Sequence, residues 1–143
     1  MAMSKLIILR SCSGSGKSTH ARAILADTLR DGLTCTIRST DDQFIVNGTY
    51  KFNPRLLSQN HDRNQLLVEK DMKEGVNVII VDNTNIKRSH MAPYKLLARK
   101  YDYEVEEVIV DNPDPSKVDL YFNRNLHGVS RSTIARQIKE FEI

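Results

Sequence analysis

The run Leu6-Ile-Ile-Leu-Arg-Ser-Cys-Ser-Gly-Ser-Gly-Lys-Ser18 constrains this chain more than any other stretch. Leu6 to Leu9 have the length and unbroken hydrophobicity of a buried strand, and Ala21, Ile24, Leu25, Thr28 and Leu29 follow at helical spacing. Between them a glycine- and serine-rich turn ends in Lys17-Ser18-Thr19. A strand, a glycine loop and a helix in that order aim backbone N–H groups and the positive end of a helix at one point, as a chain of phosphates requires. The expected contacts to a nucleoside triphosphate, ATP or GTP, are Ser13, Gly14, Ser15, Gly16, Lys17, Ser18 and Thr19. In such a loop the lysine neutralises the β and γ oxygens, and the Ser18 hydroxyl helps to hold Mg²⁺.

One position departs from the pattern G-x-x-x-x-G-K-[ST]: Ser11 stands where the first glycine belongs. Serine gives up glycine's access to positive φ, so the chain either passes Ser11 at an ordinary backbone angle or stores strain there.

The remaining pattern alternates strand and helix. Leu33 to Ser39 is short and β-branched and predicts a second strand ending at Thr40-Asp41-Asp42. Asn47-Gly48 signals a turn or hairpin, and Asn53-Pro54 opens a long helix to about Glu74, stopped by Gly75. Val76 to Asp82 is nearly continuous apolar sequence, as a central parallel strand covered on both faces demands. Met91, Tyr94, Leu97, Ala98 and Tyr101 mark a helix, and Tyr103 to Val110 a fourth strand. Asp114-Pro115 caps a helix to about Leu126, and Ser130 or Ser132 starts a last one bearing Ile134, Ile138 and Phe141. The expectation is an α/β protein with a mostly parallel sheet of four or five strands and helices on both faces, a single domain over 1–143.

Ligands of such sheets sit at the carboxyl ends of the strands. Three polar clusters follow predicted strand ends: the glycine loop, Asp41-Asp42, and Asp82-Asn83-Thr84-Asn85. Asp41 is the better placed to take a proton from an attacking hydroxyl, while Asp42 is equally well explained as a turn cap. Asp82 closes Val78 to Val81 and would reach the metal ion, partly through water. Asn83, Thr84 and Asn85 either bind an acceptor or build the turn. Arg124 and Arg131 flank His127-Gly128-Val129-Ser130, a flexible joint suited to a lid over about 123–133 that carries a cation to the transferring phosphate. Arg124 is the preferred catalytic cation, with Arg131 on the nucleotide. Arg10 ends the first strand, and His61 with Asn64 forms a buried pair or faces the acceptor.

The composition excludes several classes. Every apolar run is of strand length, so no segment is expected to span a membrane, and the first feeds the loop directly rather than a cleavage site. Cys12 and Cys35 lack metal spacing and form no disulfide framework, which suits a reducing, cytoplasmic setting. The net charge of +3 is spread rather than gathered into a nucleic-acid-binding block.

Ser11 to Thr19, Ser39-Thr40-Asp41-Asp42, Val81 to Asn85 and Asn123-Arg124-Asn125 stand in the order and spacing of the 5′-hydroxyl polynucleotide kinases, and the chain resembles that family over nearly its whole length. It looks like the kinase half of the bacteriophage enzyme. Through Tyr50-Lys51-Phe52-Asn53-Pro54 and Asn125 to Ser130 it is still more similar to the P-loop kinase domain of vertebrate ubiquitin-ligase-binding proteins. The resemblance implies a P-loop NTPase fold and ATP- and Mg²⁺-dependent phosphorylation of a nucleic-acid 5′-hydroxyl. It also implies Lys17 and Ser18 at the phosphates and metal, Asp41 as general base and Arg124 in the lid. Phe44 stands where the phage enzyme carries an arginine for the substrate phosphate, so that contact comes from elsewhere or the acceptor is not a polynucleotide; an exposed ring at 44 would stack on a base, while a core phenylalanine is the commoner case. The signatures of companion phosphatase, ligase and phosphodiesterase activities are missing. A small-molecule kinase of the same architecture and a catalytically weak nucleotide-binding partner protein are the competing readings.

Overall fold

In the computed structural model, which describes residues 3–143, the first apolar run forms β1 (Lys5–Arg10), and every residue after Lys5 is buried. Side chains alternate across a strand, so Leu6 and Ile8 point to one face and Ile7 and Leu9 to the other. β1 pairs in parallel with β5 (Val78–Asp82) and β6 (Glu104–Ile109), and β5 pairs in parallel with β2 (Cys35–Arg38). The order is β2-β5-β1-β6. Both central strands are covered twice, which explains why they read as unbroken apolar sequence.

On one face, Leu6, Ile8, Ile79 and Val81 pack under Val68 and Met72 of α2 (Leu57–Lys73) and Met91, Tyr94 and Ala98 of α3 (Arg88–Tyr101). On the other, Ile7, Leu9, Val78 and Ile80 meet Ala21 and Ile24 of α1 (Lys17–Arg30). A third cluster joins Cys12, Ile86, Tyr121 and Ile134, seating α4 (Val118–Arg124) and α5 (Arg131–Glu140) against the glycine loop. Among the described residues no helix is long and apolar enough to cross a membrane.

Several boundaries differ from expectation. Asn53-Pro54 opens a 3₁₀ turn, Pro54–Leu56, with the Asn53 side chain accepting from the Arg55 N–H, and the α-helix begins at Leu57. Asp114 does the same for Pro115–Lys117, so α4 is two turns long and stops at Arg124 rather than Leu126. Asn47-Gly48 forms the expected hairpin between β3 (Ile45–Val46) and β4 (Thr49–Tyr50), both residues at positive φ as a tight two-residue turn requires. Ser130, not Ser132, caps α5, accepting from Thr133 N–H at 3.2 Å. Phe141 lies just past that helix yet still packs with Ile138 on its core.

Arg10 does end β1, but its side chain turns inward and is almost completely buried. Its guanidinium donates to the carbonyls of Asn85 at 3.0 Å, Ile86 at 3.3 Å and Glu142, and lies 4.8 Å over the Phe141 ring. Burial lowers its pKa, with Glu107 at 3.6 Å opposing. Carbonyl acceptors satisfy the fork of donors, so this charge holds the carboxyl-terminal segment against the β5–α3 connection rather than serving a ligand.

Candidate functional site

The loop from Ser11 to Gly16 takes its shape from two glycines in the left-handed region, Gly14 (φ 80°) and Gly16 (φ 98°). Ser11 is at an ordinary angle, so its departure from the glycine pattern stores no strain. Its N–H donates to the Thr84 carbonyl at 3.0 Å and its hydroxyl to the Asp111 carbonyl at 3.0 Å, bracing the loop between the ends of β5 and β6. A Cβ on Gly14 would meet the Tyr121 carbonyl oxygen at 2.0 Å, because α4 runs directly over the loop. Gly14→Ala therefore combines a backbone clash with a φ that L-residues avoid. We expect it to destabilise the fold by about 1–3 kcal/mol or more, read as a lower denaturation midpoint with α4 displaced.

The cradle is built for an anion. Gly16 is the N-cap of α1 and provides no side-chain cap, and a Cβ there would meet nothing within 4 Å. The Ser15 hydroxyl is buried without a partner. Helix-start N–H groups beside the open space at Gly16 are what a phosphate chain would satisfy. Lys17 donates from Nζ to the Cys12 carbonyl at 3.2 Å; burial lowers its pKa, and Asp82 and then Asp41 raise it. The Cys12 thiol beneath is pushed up to about 11 by burial, so it stays protonated.

Asp82, the last residue of β5, accepts from the Ser18 hydroxyl at 3.1 Å. Burial raises its pKa, while Lys17 and the Ser18 bond lower it. The two expected metal-side residues are thus brought into direct contact from positions 64 residues apart. A hydroxyl and a carboxylate leave room for phosphate oxygens and water, the donor set that Mg²⁺ prefers.

Asp41 lies in a 3₁₀ turn, Thr40–Phe44, directly after β2. Ser39 caps that turn by accepting from the Asp41 N–H at 3.2 Å, so the capping role open to Asp42 is filled by serine. Asp41 and Asp42 follow β2 and Asp82 ends β5, so three carboxylates share one sheet edge; burial, then Asp82 and Asp41, raise the Asp42 pKa. The asparagines build rather than bind. Asn83 accepts from the Thr40 N–H at 2.8 Å, and Asn85, at φ 47°, donates to the Leu9 carbonyl at 2.8 Å. His61 and Asn64 are not a mutual pair: His61 meets the Thr40 hydroxyl at 3.0 Å, and Asn64 donates to the Tyr94 hydroxyl at 2.8 Å. Phe44 is buried and offers neither a cation nor an exposed stacking face.

Arg124 ends α4, is exposed, and has no ion-pair partner among the described residues. Arg131 is engaged within the helical pair: its guanidinium is 3.5 Å from Asp119 and 4.5 Å over the Phe122 ring. The connection between them folds on itself through Asn125, which donates to the Phe122 and Val129 carbonyls and accepts from the Val129 N–H. One contributor escaped the sequence reading. Gln137 of α5 accepts from the Ser13 N–H at 2.9 Å and donates to the Ser13 hydroxyl at 3.2 Å. Its sequence signal was a glutamine beside the apolar positions Ile134, Ile138 and Phe141. Gln137→Ala should raise the KM for nucleotide by roughly 5- to 10-fold through loss of one to two hydrogen bonds, with kcat changed less; titration of nucleotide against initial rate checks this.

A family model described as an AAA domain matches residues 6–142. Over 140 residues the chain is 35% identical to NEDD4-binding protein 2 of Homo sapiens, an alignment covering 96% of this chain and 8% of that protein's length. Among solved structures, the Pnkp1/Rnl/Hen1 RNA repair complex contains a chain that matches with a TM-score of 0.64 at 22% identity, over 98% of this chain and 44% of its own. Mycobacterium tuberculosis APS kinase CysC in complex with AMPPNP and APS matches with a TM-score of 0.60 at 19% identity, over 81% of this chain and 67% of its own. At these identities the solved structures establish the shared fold.

Proposed function

We propose that this chain, which belongs to the AAA domain family and is a P-loop kinase domain, transfers the γ-phosphate of a nucleoside triphosphate to a hydroxyl acceptor, specifically the 5′-hydroxyl of a nucleic acid. The observation that carries this reading is the convergence at one sheet edge of the glycine loop at the start of α1, the Ser18–Asp82 contact and the Asp41 carboxylate. The loop from Ser13 to Thr19 binds the triphosphate of ATP or GTP, and Lys17 neutralises the oxygens on which charge collects. Ser18, and Asp82 partly through water, would hold Mg²⁺, which when bound neutralises the phosphate oxygens. Asp41 takes the acceptor's proton as its oxygen bonds to the γ-phosphorus and the bond to the leaving diphosphate breaks. Arg124, on a lid over about 123–133, supplies a cation to the transferring group. Arg131 would reach nucleotide only after leaving Asp119. The setting proposed is cytoplasmic.

A small-molecule acceptor is favoured by one observation, the burial of Phe44 where the phage kinase has a phosphate-binding arginine. The APS kinase match shows that the same fold accommodates such chemistry. Incubation of the protein with magnesium and γ-labelled ATP against a panel of 5′-hydroxyl DNA and RNA oligomers, nucleosides and sugars separates the two. Labelling of oligomers, weakened steeply by salt as phosphate contacts require, supports the polynucleotide reading; labelling of small acceptors alone sinks it.

A further inference from the structure

Tyr50, the last residue of β4, packs its ring against the imidazole of His127, with centroids 4.1 Å apart and planes tilted by 51°. Nε2 of the same imidazole is 3.7 Å from Oδ2 of Asp41. The Tyr50 phenol is pushed up to about 12 by burial first and then by Asp41, which places its hydroxyl in the field of that carboxylate. The two ring partners differ in how firmly they are held. Tyr50 is backed by buried Phe44, stacked at 6.2 Å and 14°, and Phe44 in turn contacts Phe52 at 5.1 Å. His127 is half-exposed and sits beside Gly128 (φ 67°) in the short connection between α4 and α5.

An aromatic face beside the Asp41 carboxylate is therefore covered by a planar heterocycle on the short α4–α5 connection. We propose that His127 is a placeholder, and that the Tyr50 face which it covers is a binding site for a planar heterocycle of the acceptor, the base attached to the sugar that bears the reacting hydroxyl. An acceptor base on Tyr50 displaces the imidazole, and the same displacement removes His127 from Asp41, so occupancy of the slot and release of the base coincide. Stacking on an aromatic side chain is tolerant of sequence because every base has a π-face. The slot would thus demand a base at the acceptor end without choosing among bases, and it needs no cation at position 44. This inference rests on the polynucleotide reading above.

The test compares two oligomers under magnesium and labelled ATP: one with an ordinary 5′ nucleoside, the other with an abasic 5′ residue that keeps its 5′-hydroxyl. For the unaltered protein, the acceptor KM should be roughly 10- to 100-fold higher for the abasic end, the factor that one aromatic–base stack supplies. Tyr50→Ala should erase that difference by raising the KM for the ordinary end, while Tyr50→Phe keeps it. His127→Ala, at a half-exposed position, should shift the KM for the ordinary end the opposite way, downward. Equal KM values for the two ends, or an upward shift with His127→Ala, overturn the slot and leave the polynucleotide reading standing. Labelling of neither oligomer, with nucleotide binding intact, overturns both.

Discussion

Lys17→Ala should abolish measurable nucleotide binding and cut phosphoryl transfer by at least about 10³-fold, the scale of loss when a preorganised charge at a transferring phosphate is removed. The ammonium is held inside the loop by the Cys12 carbonyl, and burial lowers its pKa against the pull of Asp82 and Asp41. A cation that has lost its water interacts strongly with the next anion to arrive, so its energy is directed at the ligand rather than at folding. The fold itself should survive, because the Asp82 carboxylate keeps its Ser18 hydroxyl partner and can take up a proton. The exchange has an internal signature as well: without Lys17, Asp82 loses the strongest influence opposing its burial, so its carboxyl titrates still higher. Lys17→Arg should fail too, since a planar fork does not replace a point charge in a loop this tight. Calorimetric titration with nucleotide and single-turnover transfer check both effects, and wild-type affinity in Lys17→Ala would refute the cradle.

Asp41→Asn should separate binding from chemistry. The side chain keeps its shape and the Ser39 cap uses the Asp41 backbone N–H, so the turn is undisturbed. The amide cannot accept a proton from an incoming hydroxyl, and general base catalysis is typically worth about 10²–10⁴-fold. Transfer should fall by that factor. Nucleotide affinity should hold or rise, because Asp41 is one of the negative charges facing Lys17 and its removal leaves more of that cation for phosphate. Equilibrium binding measured beside single-turnover rates gives both quantities; an equal loss of affinity and rate would show that Asp41 supports the loop instead.

Much of this arrangement was legible in the residues. Leu6 to Leu9 and Val78 to Val81 could only be strands covered on both faces, and the clusters ending in Ser18, Asp41 and Asp82 had to emerge at the same edge of a parallel sheet. The P-loop kinase resemblance, carried by the same clusters, holds. What stayed hidden depends on tertiary contact. No local pattern announces that Arg10 points inward, because its acceptors are carbonyls contributed by three distant residues. Gln137 meets Ser13 across 124 positions, and Tyr50 meets His127 only because the hairpin and the α4–α5 connection fold over the same turn. Asn83 and Asn85 look like ligand-binding groups in sequence and serve as struts, since a polar side chain at a strand tip satisfies neighbouring backbone as readily as substrate.

The struts have a mechanical corollary. Thr40 tied to Asn83, Ser11 to Thr84 and Asn85 to Leu9 stitch the tips of β1, β2 and β5 crosswise into one stiff deck. On the proposed reading, reactants enter above that deck, beside the hairpin and the α4–α5 connection, while the spacing between Asp41, the Ser18–Asp82 contact and the glycine loop stays fixed. The entropy of aligning those groups is thus settled when the chain folds, and turnover need not supply it again.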